Sequence, residues 1–123
     1  MTLEELYGKM GGNYEHAKQI MKMDKMIDKY VRKLKNSGVG DALSAAGETM
    51  DANGLFESAH ALKGVCANLG LDDLAAAAEE ITEEFRPGNS RKLTDAEVKA
   101  KISAVIEKYQ NTLACIAEYE AGA

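Results

Sequence analysis

Hydrophobic residues recur at steps of three and four along most of the chain, which is the spacing of one face of an α-helix. We read residues 13–35 as a single amphipathic helix with Asn13 as its N-cap. A short helix over residues 1–7 and a break at Gly11 and Gly12 precede it. The apolar positions of the long helix are Ala17, Ile20, Met23, Ile27, Tyr30, Val31 and Leu34.

Turn-forming residues divide the rest of the chain into further helices. Their predicted ranges are 41–50, 55–69, 71–85 and 94–119. Gly70 follows the predicted helix over 55–69 at C′, the position that favours glycine. Thr94 with Glu97 fits a capping box at the start of the last helix. The substantial helices are those over 13–35, 55–69, 71–85 and 94–119, and the helix over 41–50 is shorter. Joined by short loops, they predict an all-α fold, an up-down-up-down four-helix bundle with short additional N-terminal helical segments. We expect one domain over 1–123, with the core bundle at about 13–119 and 1–12 as a leading helix and turn.

Composition and charge narrow the class of protein. Hydrophobic residues make up 46% of the chain and charged residues 28%, which is typical of a globular domain. The net charge of −5 argues against broad nucleic-acid binding, which needs a basic surface. No apolar run reaches the ~20 residues that span a bilayer, and the N-terminus lacks the order of a signal peptide. We therefore expect a cytoplasmic protein without membrane association. Buried, reduced Cys66 and Cys115 fit that compartment, while a disulfide between them stays open from the sequence.

The stretch AHALKGVCANLG, residues 59–70, carries the candidate chemistry. A projection at about 100° per residue places the bulky side chains of this helix on one face. They are Leu55, Leu62, Val65, Cys66 and Leu69. His60 lies on the opposite face, with Phe56, Lys63, Gly64 and Ala67 within about 60° of it. If the bulky face packs in the bundle, His60 points to solvent.

The His60 face suits phosphoryl transfer to or from a docked protein. A neutral imidazole is a nucleophile that can accept a phosphoryl group, and the Lys63 ammonium can pair with the added charge. Gly64 costs the helix roughly 1 kcal/mol against alanine, but it removes side-chain bulk next to the ring. Phe56, Glu57 and Ala67 form the small surface around these groups and are candidate partner-docking residues.

The run AHALKGVCANLGLDDLAAAAEEI resembles the signature of histidine-containing phosphotransfer (HPt) domains of multistep two-component signalling. The matching positions are His60, Leu62, Lys63, Gly64, Leu69, Gly70, Leu74 and Glu79 or Glu80. The resemblance implies a four-helix bundle in which His60 takes a phosphoryl group from a receiver-domain aspartate and passes it to another. It also implies that Lys63 assists by its charge and that Gly64 opens the approach.

The resemblance further implies the partners and cofactors. The partners are response-regulator receiver domains and a hybrid sensor histidine kinase. The required Mg²⁺ belongs to the receiver, so this chain needs no metal or other cofactor of its own. It would be a monomeric phosphoryl carrier rather than a turnover enzyme. One departure is the segment SGVGDALSAAG, residues 37–47, which interrupts a region that is often a more continuous helix in the family.

Other interpretations of the same residues stay open at this stage. The chain could be a docking module that binds a receiver or kinase on the His60 face without being phosphorylated. A hydrolase with His60 as general base has little support, because no carboxylate or nucleophile is placed beside it. His16 is interpreted as a solvated residue without a partner. Glu79, Glu80, Glu83 and Glu84 are interpreted as a solvated face, and Met21, Met23, Met26 and Met50 as core filling.

Overall fold

The computed structural model describes residues 1–122 and contains seven α-helices in that range. In chain order they are α1 Leu3–Met10, α2 Tyr14–Met21, α3 Asp24–Lys35, α4 Val39–Thr49, α5 Ala52–Asn68, α6 Asp72–Phe85 and α7 Asp95–Glu120. Helices α4 to α7 pack against each other in sequence order, and α4 also contacts α7, which closes a four-helix bundle. The predicted all-α fold is confirmed. Within residues 1–122, no helix combines the length and the apolar character that crossing a membrane requires.

The prediction of one helix over residues 13–35 is wrong, because the chain breaks between α2 and α3. Lys22 ends α2 with a positive φ of 75°, and Met23 is extended before α3 begins. Asp24, in the first turn of α3, accepts hydrogen bonds from the Tyr14 hydroxyl and from Nζ of Lys18. These contacts fold α3 back toward α2 and stabilise a break that no glycine or proline marks.

Helix α4 begins at Val39, two residues earlier than predicted, after Gly38 in the left-handed conformation. Gly40 therefore lies inside the helix, where it is buried against the Tyr109 ring of α7. A Cβ at this position would overlap that ring, so Gly40 permits the close packing of α4 on α7. The glycines that indicate a helix break in the sequence act here as a cap and a packing contact.

The N-terminal helix α1 belongs to the hydrophobic core. Leu6 and Tyr7 are fully buried, and α1 packs on α7. The Tyr7 hydroxyl donates a 2.7 Å hydrogen bond to the carbonyl oxygen of Leu69 at the end of α5. This bond connects the first helix to the turn that follows the candidate site helix.

The turn between α5 and α6 depends on Gly70, as predicted. Its φ is +70°, and its N–H donates to the Ala67 carbonyl while the N–H of Leu71 donates to that of Cys66. These two bonds are the Schellman pattern that ends a helix. The Gly70 carbonyl accepts a hydrogen bond from the N–H of Asn13, so the start of α2 lies directly on this turn. The turn thereby fixes α2 next to α5.

Candidate functional site

Helix α5 presents the two faces that the helical projection predicts. Leu55, Leu62 and Cys66 have no exposed surface, and Leu69 is buried just beyond the helix end. His60 is exposed on the other side of the helix. The bulky face is therefore part of the core, and the imidazole is open to a partner.

The His60 ring is stacked on the ring of Phe56, one helical turn earlier. The ring centroids are 5.7 Å apart, and the planes differ by 9°. No hydrogen bond or ion pair to the imidazole is found among residues 1–122. Both ring nitrogens are thus unengaged within the part of the chain that the structure describes.

Lys63 lies on the same side of α5 and forms an ion pair with α6. Its Nζ is 3.3 Å from Oε2 of Glu79, and both side chains are about one-third exposed. That carboxylate oxygen has no hydrogen-bond partner within residues 1–122, so the pair is electrostatic without a well-directed hydrogen bond. A lysine held in this way can turn toward a second anion at little cost.

Gly64 faces open space. A Cβ added at this position would meet no atom within 4 Å, so nothing in the bundle requires a glycine here. Of the two predicted docking residues nearby on α5, Glu57 is exposed and Ala67 is partly exposed. The absence of a side chain at Gly64 leaves the approach to His60 clear on this side.

Arg86 is a site residue that the sequence interpretation missed. Its guanidinium carbon lies 5.4 Å from the centroid of the Phe56 ring, on the surface that also carries His60. Two-pronged hydrogen bonding to the Glu83 carboxylate holds it there, with donor–acceptor distances of 2.8–3.1 Å. The hydrogen bonds from Arg86, together with a contact to the Glu79 side chain, lower the pKa of Glu83 below its ordinary value. In the sequence, Arg86 precedes Pro87 and indicates only a turn.

An apolar groove lies where α2, α3 and α5 meet, and the partly buried Val65 of α5 is one of its lining residues. Its volume is about 530 Å³. Its lining residues are Ile20, Met21, Met26, Tyr30, Lys33, Leu34, Ser37, Val65, Asn68 and Leu69. The prediction that the methionines fill the core is wrong for Met23, which is 53% exposed, and Ile20 is 39% exposed. The break between α2 and α3 turns these two side chains outward.

His16 is not the unpartnered residue that the sequence interpretation describes. Its Nδ1 lies 2.8 Å from Oδ1 of Asp72, at the start of α6, and the side chains are partly exposed. Asn13, confirmed as the N-cap of α2, accepts a hydrogen bond from the N–H of the same histidine. His16 therefore joins α2 to α6, which is a structural contact.

The acidic stretch of α6 is also not a uniformly solvated face. Glu79 pairs with Lys63, and Glu80 pairs with Lys101 at 2.9 Å. Glu84 is buried and accepts hydrogen bonds from Arg91 and from backbone N–H groups of the loop before α7. Each carboxylate has its own partner, and within residues 1–122 no three His, Cys, Asp or Glu side chains are grouped to hold a metal ion.

The cysteines are free. Cys66 is buried in α5, and burial raises the pKa of its thiol to about 12. Cys115 on α7 is only partly buried, which differs from the expectation for this residue.

Comparison with protein families gives one match. A family model described as Hpt domain matches residues 27–113, which is more than half of the chain. The matched range contains His60, Lys63 and Gly64, whereas α1 and α2 lie outside it. A search of curated proteins and a search of solved structures found no match.

Proposed function

Because the chain belongs to the Hpt domain family, whose members carry out histidine phosphotransfer in two-component signalling, we propose that His60 is the phosphoryl acceptor of this chain. His60 takes the phosphoryl group from an aspartate of one receiver domain and passes it to an aspartate of another. Hpt domains are phosphocarrier modules and interact with receiver domains in general. In this role His60 starts and ends each cycle unmodified, so the chain acts as a phosphoryl carrier rather than as a turnover enzyme. We place this carrier in the cytoplasm.

The observation that carries the proposal is the state of the His60 ring. It is exposed on a helix whose opposite face is core, and no polar side chain within residues 1–122 occupies its nitrogens. The adjacent Gly64 leaves open space, and the Lys63 ammonium lies on the same face with only a weak partner. A phosphoryl-acceptor site needs a nucleophile, a nearby cation and clear access for the donor.

The transfer step conserves atoms and electrons without a further reagent. The lone pair of one imidazole nitrogen forms the bond to phosphorus, while the bond between phosphorus and the aspartate oxygen breaks. That oxygen keeps the electron pair and becomes a carboxylate again, and the other ring nitrogen keeps its proton during the attack. The Mg²⁺ that offsets the phosphoryl charge is expected on the receiver, and Lys63 supplies a second positive charge.

The receiver docks over the His60 face and the neighbouring apolar groove. Val65 and Asn68 line the groove and lie on the same helix as His60, at most about 12 Å along the axis. Around the helix axis, Val65 lies about 140° and Asn68 about 80° from His60, so the docked domain covers the groove only where it extends around that side of α5. The exposed side chains of Ile20 and Met23 supply apolar area for this contact, and Phe56, Glu57 and Ala67 surround the histidine itself.

A labelling experiment tests the proposal. Purified protein is incubated with a phosphorylated receiver domain and Mg²⁺, and the bound phosphate is tested for lability in acid and stability in base. We expect the wild-type chain to take up such a phosphate and the His60→Gln variant to take up none. His16→Gln is the matched control, because it removes the other histidine of the chain and should label normally.

Two outcomes would overturn the proposal. One is the absence of label on the wild-type chain after incubation with a range of receivers. The other is equal labelling of the wild type and the His60→Gln variant. Retained receiver binding without any label would instead identify a docking module that uses the same helix face.

A further inference from the structure

Phe56 and His60 form a stacked pair on the surface of α5. Their spacing of four residues places one ring over the next turn of the helix. A centroid distance of 5.7 Å with nearly parallel planes is the offset-stacked arrangement that aromatic pairs favour. The pair lies at the position where the proposed chemistry occurs, so its geometry bears directly on the acceptor ring.

Phe56 is itself held in place from α6. The Arg86 guanidinium packs over its ring, and its Nε and Nη2 donate hydrogen bonds to the Glu83 carboxylate, which fix it in place. The Asn89 side-chain amide donates to the backbone carbonyl and the carboxylate of Glu83. A connected series of contacts therefore runs from the end of α6 to the imidazole.

A functional histidine ring usually gains its orientation from a hydrogen bond to one of its nitrogens. The His60 ring has no such bond within residues 1–122, so the stack provides the restraint that a polar partner would otherwise provide. Stacking uses the face of the ring, whereas the nitrogen lone pair lies in the ring plane. The restraint thus leaves both nitrogens available to phosphorus.

We propose that Phe56 is a positioning residue, which holds the His60 imidazole by stacking in the orientation that aligns its nitrogen with an incoming phosphoryl group. The proposal rests on the proposed function, because it assigns a role in that same transfer. An exposed histidine without this contact would rotate about its side-chain bonds and would spend less time aligned for attack. Phe56 thereby acts on the rate of transfer and not only on partner binding.

The first test uses the unphosphorylated protein and needs no receiver. In NMR spectra, the stacked Phe56 ring should shift the carbon-bound ring protons of His60, and side-chain couplings should report one main rotamer. In Phe56→Leu, which keeps an apolar, helix-favouring residue, the shift should disappear and the couplings should average. Unchanged His60 signals in this variant would overturn the proposal.

The second test separates positioning from docking by kinetics with a phosphorylated receiver. Stacked aromatic pairs have interaction energies equivalent to roughly a two- to tenfold change in rate, so Phe56→Leu should slow transfer at saturating receiver by about that factor. Because Phe56 also borders the docked receiver, any rise in the receiver concentration at half-saturation should be smaller than the fall in the saturating rate, and Phe56→Tyr should restore the rate. A raised half-saturation concentration with an unchanged saturating rate would show that Phe56 only docks the partner.

Tyr119→Leu is the matched control for loss of an aromatic ring. Tyr119 is also partly buried and lies under an arginine, with the Arg32 guanidinium carbon 5.2 Å from its centroid. It packs α7 on α3, and its loss should leave the His60 signals and the transfer rate unchanged. If the wild type accepts no phosphate but shows the stacked ring, the proposed function fails while the positioning contact stands. The two proposals therefore fail in distinguishable ways.

Discussion

At the scale of single residues, the proposed phosphorylation of His60 would leave Lys63 shared between two anions. In the free protein, its ammonium is paired with Glu79 across the α5–α6 contact. The phosphate on His60 would compete with that carboxylate for the Lys63 ammonium. Under the proposed function, Glu79 would therefore set how available the Lys63 charge is for phosphohistidine.

Glu79→Gln should shift the transfer equilibrium toward phosphorylated His60. Exposed ion pairs are worth about 0–1 kcal/mol, so the shift should be at most about fivefold, and Lys63→Ala should act in the opposite direction. The measurement is the fraction of label on this chain at equilibrium with a phosphorylated receiver. Glu80→Gln is the control, because that neighbouring carboxylate pairs with Lys101. An equal shift in Glu79→Gln and Glu80→Gln would contradict a specific effect of Glu79 on Lys63.

Gly64 lowers helix stability without any packing reason, and this can be measured. Gly64→Ala should raise the free energy of unfolding by up to about 1 kcal/mol, because the added methyl group meets open space. Gly64→Leu should slow transfer by about ten- to a hundredfold through displacement of the docked receiver. Gly8→Ala in α1, which also faces open space, should add similar stability and leave transfer unchanged. Wild-type transfer by Gly64→Leu would show that access does not depend on this glycine.

At the scale of helices and turns, Gly70 combines two constraints that an ordinary helix end does not. Its left-handed φ favours glycine, and a Cβ would come within 2.5 Å of the Asn13 carbonyl oxygen at the start of α2. Gly70→Ala should therefore lower the free energy of unfolding by clearly more than the roughly 1–2 kcal/mol of a left-handed alanine. Gly88→Ala is the control in denaturant titrations, because Gly88 has a positive φ but open surroundings. An equal loss in the free energy of unfolding for Gly70→Ala and Gly88→Ala would mean that the close contact between Gly70 and α2 does not contribute.

Most helices could be predicted because their signals are local. The three helices α5, α6 and α7 follow from apolar periodicity, and the Thr94–Glu97 capping box is confirmed. Helix α5 begins at Ala52, three residues earlier than predicted, because Asn53 and Gly54 are helical and not a turn. The break between α2 and α3 could not be predicted, since it depends on the contacts of Asp24 and not on a helix-breaking residue. The His16–Asp72 pair joins residues that are far apart in sequence, so no local pattern indicates it.

The candidate site divides in the same way. The exposure of His60 follows from the periodicity of one helix. The proposed roles of Lys63 and Gly64 follow from their spacing to His60, which places them on the same face. The contacts that hold these groups come from α6, because Glu79 pairs with Lys63 and Arg86 covers Phe56. Such contacts between helices depend on how α5 and α6 pack, and a single sequence gives no measure of that.

At the scale of the whole molecule, the folded unit extends beyond the part that matches the family. Helices α1 and α2 precede residue 27, yet Leu6, Tyr7 and Ala17 are buried in the common core. Tyr7 and Asn13 both bind the turn after α5, through Leu69 and Gly70. The N-terminal helices therefore support the end of the helix that carries His60, and α2 supplies one wall of the apolar groove.

The buried Glu84 carboxylate makes the free energy of unfolding depend on pH in the acidic range. Burial raises the pKa of this carboxyl, but the hydrogen bonds from Arg91 and from the N–H groups of Leu93 and Lys92 outweigh it, so the pKa lies below its ordinary value of 4.5. A group with a lowered pKa in the folded state stabilises the fold fully above its unfolded pKa. That stabilisation is lost as the pH falls through the folded pKa.

Glu84→Gln should accordingly lower the free energy of unfolding near pH 7 by about 1–3 kcal/mol, since hydrogen bonds to a charged acceptor become hydrogen bonds to a neutral one. The variant should also lose less stability than the wild type on acidification below about pH 4.5, because it has no carboxylate to protonate at this position. Denaturant titrations at a series of pH values measure both effects. Glu107→Gln, which removes an exposed carboxylate from α7, controls for the change in net charge. Parallel pH profiles for the wild type and Glu84→Gln would show that this buried carboxylate does not contribute to the acid sensitivity of the fold.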